Sequence, residues 1–379
     1  MIVQHTLIWS VAMLILGTAI GLLCPLPFYL PLLAAALMGC LLLRRSRWQS
    51  AMVMAVWLLL GCSRASVCSQ AESEPAWLTG LRSKMQPLQE QFGGRLQGAN
   101  ISPRTKALCT ALVMGNRNGL EADVRQSYAN AGVSHLLALS GMHLGIIYGL
   151  LYFLIVRPLR HGRWRWWSLL PLLTIVWSYT FVTGLPVSLV RAALMLSLFS
   201  ITLMWQYKTD ALNPLFLSAA IILMVAPREL LSIGFQMSFV AVLFILSIWS
   251  HLSDRYYRLP WVYKMLIVSV AAQLGTMPLV LYYFHQMSLL APLLSIILIP
   301  LTAAIIYLTL AAFVIPCAAL GWVLDALVSS QDWLVGTVSQ WPGATLTDIY
   351  PNLIFIATLY AFMLLLIILM RTSKAFRQS

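Results

Sequence analysis

Residues 288–316 read SLLAPLLSIILIPLTAAIIYLTLAAFVIP, and no charged side chain interrupts them. The run exceeds the ~20 residues that carry a helix across a bilayer, yet it falls short of two such spans. Pro292 and Pro300 each remove a backbone donor from it. How this run is read decides how the chain threads a membrane.

Working outward, the rest of the chain is of the same kind. Of 379 residues, 60% are hydrophobic and 9% are charged, far from the ~25% charged residues of a soluble domain. Apolar segments occupy roughly 5–23, 26–43, 50–66, 134–156, 166–184, 187–205, 211–226, 229–250, 261–283 and 352–370. The short alternating strands of a membrane β-barrel are missing. The expected fold is therefore an all-α polytopic membrane protein with about ten membrane segments.

The expected regions are an N-terminal three-helix membrane region (1–66), a small helical outer insert (67–133) and a main membrane domain (134–316). An amphipathic interfacial segment (317–350) and a last helix with a basic tail (351–379) follow. Within the insert, Gly93-Gly94 and Pro103 read as breaks. Helical patterns follow at 104–115 and 119–130. Over 317–340, Trp322, Leu324, Leu327, Trp333, Leu334 and Val338 recur at helical spacing among Asp325, Gln331 and Asp332, as in a helix lying in the interface.

Lys and Arg set the orientation. With "RRSR" (44–47) inside, the insert falls outside, while "VRPLRHGRWRW" (156–166), 251–264 and the basic C-terminus fall inside. Both termini are then cytoplasmic. The 288–316 run must enter and leave on one face, which predicts a broken or re-entrant hairpin. Irregular backbone at that depth needs protein or water around it.

Polar residues inside spans are costly and mark sites. "AGVSHLLALSGMHLG" (131–145) holds Ser134, His135, Ser140 and His143. "TGLPVSLVRAAL" (183–194) holds Arg191, behind a Gly184–Pro186 break that favours a helix start at Pro186. Gln236 and Gln273 lie in two further spans. Ser140 and His143, three residues apart, share a helix face. Gly141 and Gly145 beside them permit close helix approach. Two tasks stay open for this cluster, lining a path or packing helices. Arg191 near a helix start suits phosphate. None of the six cysteines forms a CxxC pair, so no metal site or cofactor is expected. A disulfide between Cys68 and Cys109 stays open.

Three segments, "AGVSHLLALSGMHLGII" (131–147), "TGLPVSLVRAALM" (183–195) and "SIGFQMSFVAVL" (232–243), resemble the competence domain of the ComEC family in order and spacing. The resemblance covers about residues 105–310. It implies an inner-membrane channel that brings single-stranded DNA into the cytoplasm during natural transformation, and no catalytic residues. It also implies working alongside a separate DNA receptor, a nuclease and a cytoplasmic motor. Longer members add a β-rich outer domain and a metallo-β-lactamase-like domain. This chain shows neither pattern and has no H-x-H pair, so it reads as a short form. On that view Ser140, His143, Arg191, Gln236 and Gln273 line the conduit or its gate, with Ser134 and His135 flanking them. Two other classes stand beside it. One is a small-solute or lipid-linked transporter, which broken helices allow. The other is an intramembrane serine hydrolase built on Ser140 in "ALSG" (138–141), with His251 or His285 as base.

Overall fold

The computed structural model describes residues 2–24, 29, 32–33, 36, 49–68, 76–159, 164–204, 212–256 and 259–378. The expected second apolar segment and the "RRSR" run lie almost wholly outside them. The helices, in chain order, are α1 (Ile2–Leu23), α2 (Gln49–Cys68), α3 (Ala76–Leu96), α4 (Pro103–Met114), α5 (Ala122–Asn130) and α6 (Gly141–Leu151). Next come the short α7 (Trp164–Trp167), α8 (Leu169–Val182), α9 (Val187–Met204), α10 (Leu212–Val225) and α11 (Ile233–Tyr256). The chain continues with α12 (Trp261–Phe284), α13 (Ala291–Val314), α14 (Ala318–Ser339) and α15 (Leu353–Gln378). A two-residue ladder, β1 (Met287–Ser288) with β2 (Thr345–Leu346), is antiparallel. The protein is all-α, and among the described residues α9, α12 and α13 are long and apolar enough to cross a membrane.

One compact unit comprises Met1–Pro75 and Leu194–Phe239. In it α1 and α2 touch backbone to backbone. A Cβ on Gly17 would fall 1.9 Å from the Leu58 carbonyl oxygen, and one on Gly61 would fall 2.4 Å from that of Leu14. Glycines let apolar helices approach this closely where side chains would hold them apart. Val11 and Leu14 then pack with Ala219, Leu223 and Phe235. Arg64 lies near the end of α2. Its Nε donates to the Met224 carbonyl at 2.8 Å, which satisfies an acceptor at the end of α10.

The second unit, Ala76–Ala193 with Val240–Ser379, corrects several expectations. Residues 291–314 form one helix, so the broken hairpin is overturned. Pro292 sits in the first turn, where a missing N–H costs nothing. Pro300 removes one bond in the middle of a helix whose neighbours cover Leu294, Leu298, Thr302, Ile305 and Thr309, and a buried apolar helix tolerates that loss. The chain instead reverses into a second helix, α14, which packs against α13. The β1–β2 ladder joins the residue pair before α13 to the pair after α14. Midway along, Thr302 meets Gln331.

Helix α14 is thus packed lengthwise. Gly321, Leu324, Val328, Gln331, Val335 and Val338 form its buried stripe, while Trp322 and Trp333 face outward. The alternation read as an interfacial helix has this packed face as its cause. The insert is likewise drawn into a core. Leu108, Leu112, Val124 and Tyr128 of α4 and α5 pack with Leu298, Ile305, Leu324 and Val335. Helix α3 had no counterpart in the sequence reading and runs straight through Pro87, Gly93 and Gly94. Cys109 is a free thiol, fully buried, and burial pushes its pKa up to about 11.

Candidate functional site

The stretch 131–145 does not run as one helix from 134. It opens with a 3-10 turn at Ser134–Leu136, breaks, and enters α6 at Gly141. Ser140 is the N-cap, with extended backbone, and its Oγ accepts the Met142 N–H at 3.3 Å. His143 stands three residues on, where a capping box normally places Glu or Gln. Its Nδ1 accepts the Ser140 backbone N–H at 3.3 Å and lies 3.0 Å from Ser140 Oγ. A ring nitrogen that accepts an N–H is unprotonated, so the neutral ring carries its proton on Nε2. That Nε2 is buried without a hydrogen-bond partner. Serine and histidine are kept together here because the helix begins between them.

The start of α9 meets this helix start. Two residues with positive φ, Gly184 (85°) and Leu185 (50°), reverse the chain after α8. A leucine held there is uncommon and strained. The helix begins at Val187, and the Pro186 carbonyl accepts from Leu189 and Val190. Pro186 therefore stands just outside the helix it was expected to open. Ser188 Oγ donates to the Leu139 carbonyl at 2.9 Å. A Cβ on Gly141 would fall 3.1 Å from Ala192 Cβ. Arg191, between those two contacts in sequence, is 4% exposed. Two helix N-termini, each with a partial positive charge, thus converge beside the buried His143 imidazole, and buried Arg191 lies within the first five residues of α9.

The other candidates sit elsewhere. The space beside Gly145 is open, so the close approach expected there occurs at Gly141 instead. Ser134 and His135 are exposed. Gln273 Nε2 donates to the Ser288 carbonyl at 2.5 Å. Ser288 then binds the loop that precedes the site, since its hydroxyl lies 3.2 Å from the carbonyls of Ala131 and Ala344 and accepts from Ala291 N–H. Gln236 belongs to the first unit and donates to the Leu230 carbonyl at 3.0 Å. Sequence reasoning missed Ser188 and Ser288. The only local signal for Ser288 was its place three residues ahead of the helical Ala291.

Residues 112–373 match the family model described as "Competence protein". The chain belongs to the competence-protein family. Among its relatives, ComE operon protein 3 of Bacillus subtilis (strain 168) is 32% identical over 200 residues, covering 53% of this chain and 25% of that protein. An uncharacterized protein of Aquifex aeolicus (strain VF5) is 26% identical over 221 residues, 58% of this chain and 48% of its own length. YcaI of Escherichia coli (strain K12), also uncharacterized, is 26% identical over 239 residues, 60% of this chain and 31% of its own. The alignments thus cover between a quarter and a half of the length of these relatives. No solved structure matches. The family match includes both converging helix starts, 140–143 and 186–192.

Proposed function

We propose that this competence-family chain is an inner-membrane channel component that admits single-stranded DNA to the cytoplasm during natural transformation. The observation that carries the reading is the convergence of α6 and α9. Their N-termini bring Ser140, His143, Ser188 and buried Arg191 to one place among apolar helices. Hydroxyl and helix N–H donors together with a guanidinium suit a passing phosphodiester. Gln273 holds the adjoining loop through Ser288. Family membership supports the process, and the membrane-capable helices support the location. Shorter apolar helices such as α8, α10 and the apolar parts of α1, α2, α11 and α15 complete about ten membrane segments, with both termini cytoplasmic. A separate DNA receptor, nuclease and motor act beside it.

The test deletes the gene and scores two steps separately. Labelled DNA bound at the cell surface is expected to stay at the wild-type level, while DNA protected inside the cytoplasm is lost. Undiminished entry in the deletion strain contradicts the reading.

A further inference from the structure

A second polar array crosses the core of the Ala76–Ala193 and Val240–Ser379 unit, away from the helix starts. It begins at Arg104, whose side chain is 51% exposed. Arg104 Nε donates to Asp332 Oδ2 at 2.7 Å, and Glu121 lies 3.9 Å from Nη1. Tyr128 O–H donates to Asp332 Oδ1 at 3.1 Å. Gln331 Nε2 donates to the Tyr128 oxygen at 3.1 Å, and Thr302 O–H reaches Gln331 Oε1 at 3.4 Å. Tyr128, Gln331 and Thr302 are at most 1% exposed. Burial raises the Tyr128 hydroxyl well above its ordinary pKa of 10.0, which keeps it a donor.

Two features make this array more than filler. Every donor points toward the Asp332 carboxylate. Hydrogen bonds aligned in that way polarise one another in a low-dielectric interior, so the inner links weaken together when the charge at the outer end is lost. The inner end also falls at a particular place. Thr302 lies two residues beyond Pro300, where α13 lacks one bond of its ladder. That is where a helix bends when its neighbours allow it. Apolar side chains would fill the same volume without the desolvation cost of buried polar groups.

We propose that Arg104, Asp332, Tyr128, Gln331 and Thr302 form a latch. The ion pair at the surface ties α4 to α14 and, through Tyr128 on α5, holds them in register with the Pro300 segment of α13. Parting Arg104 from Asp332 frees that segment to bend. The role of the bend rests on the transport reading above, whereas the latch itself does not.

The experiment follows a reporter cysteine at Ser295, which is 5% exposed on the buried face of α13. Ser295→Cys is alkylated with a membrane-permeant maleimide, and native Cys109, fully buried in the same unit, reports unfolding. In Asp332→Asn the reporter is expected to react at least about tenfold faster while Cys109 stays unreactive, as for a local opening ~1.4 kcal/mol easier. Arg104→Gln, at the exposed end, gives the same result if Asp332→Asn exposes Cys109 as well. A reporter as slow in Arg104→Gln as in the parent overturns the latch. DNA entry is scored in the same strains. A fast reporter with undiminished entry, in a background where gene deletion abolishes entry, removes the link to transport and leaves the channel reading intact. Entry that survives gene deletion counts against the channel reading, not the latch.

Discussion

Arg191→Ala is expected to abolish DNA entry while the chain stays in the membrane and DNA still binds at the cell surface. The side chain is 4% exposed on a helix long and apolar enough to cross a bilayer. Placing a guanidinium there is expensive, and such residues mark pathways. Its helix is held at the start of α6 by Ser188 and Ala192, two contacts that the truncation leaves in place. Each charge-assisted hydrogen bond to a phosphate contributes about 1.5–3 kcal/mol. Losing one slows passage by about 10- to 150-fold, and losing a bidentate pair takes entry below detection. Arg191→Lys separates charge from geometry, because an ammonium keeps the charge and loses the planar fork. The lysine variant is expected to retain partial entry. Transformation at the wild-type level in Arg191→Ala removes the residue from the path.

Gly132→Ala is expected to cost about 3 kcal/mol or more of stability, at the upper end for a single substitution. Gly132 ends α5 at a φ of +73°, which L side chains seldom adopt. Gly132 N–H bonds to the Ala129 carbonyl and Val133 N–H to that of Tyr128, the pairing of a Schellman motif. An added Cβ would lie 2.1 Å from Ser288 Cβ. Ser288 cannot yield, because it ties the loop after α5 to the turn after α14, caps α13 and holds Gln273. The check is the thermal midpoint of the detergent-solubilised chain. Adding Ser288→Gly removes the collision and leaves the φ strain, so the double variant should recover part of the loss. Two independent costs, with no recovery, would contradict the geometry.

What could be read from the sequence follows the range of the interactions. Apolar runs are local, so the all-α membrane-capable fold was legible, and α9, α10 and α12 fall close to their expected bounds. Pro300 misled because a proline breaks a helix only where nothing else holds it, and what holds α13 comes from α4, α5 and α14. The alternation over 317–340 has the period of any half-buried helix. It says that one face is apolar and not what covers that face. At the site, the Ser140–His143 spacing was legible, but its use as a cap depended on where the helix begins. S-x-x-H is seldom read as a capping box, since His replaces the usual Glu or Gln. Gly141 was read for close packing and stands beside Ala192, whereas Gly145, four residues on, faces open space. The chain Arg104–Asp332–Tyr128–Gln331–Thr302 left no local mark, because its partners lie up to 228 residues apart.

The most direct test of the central claim is to catch the strand in transit. Transforming DNA carrying 4-thiothymidine is bound to competent cells, irradiated during uptake, and the adducts on this chain are mapped by mass spectrometry. If α6 and α9 line the path, cross-links fall within 131–145 and 183–193, and Arg191→Ala removes them. Adducts confined to 76–130, or none at all while DNA enters normally, would show that the strand takes another route.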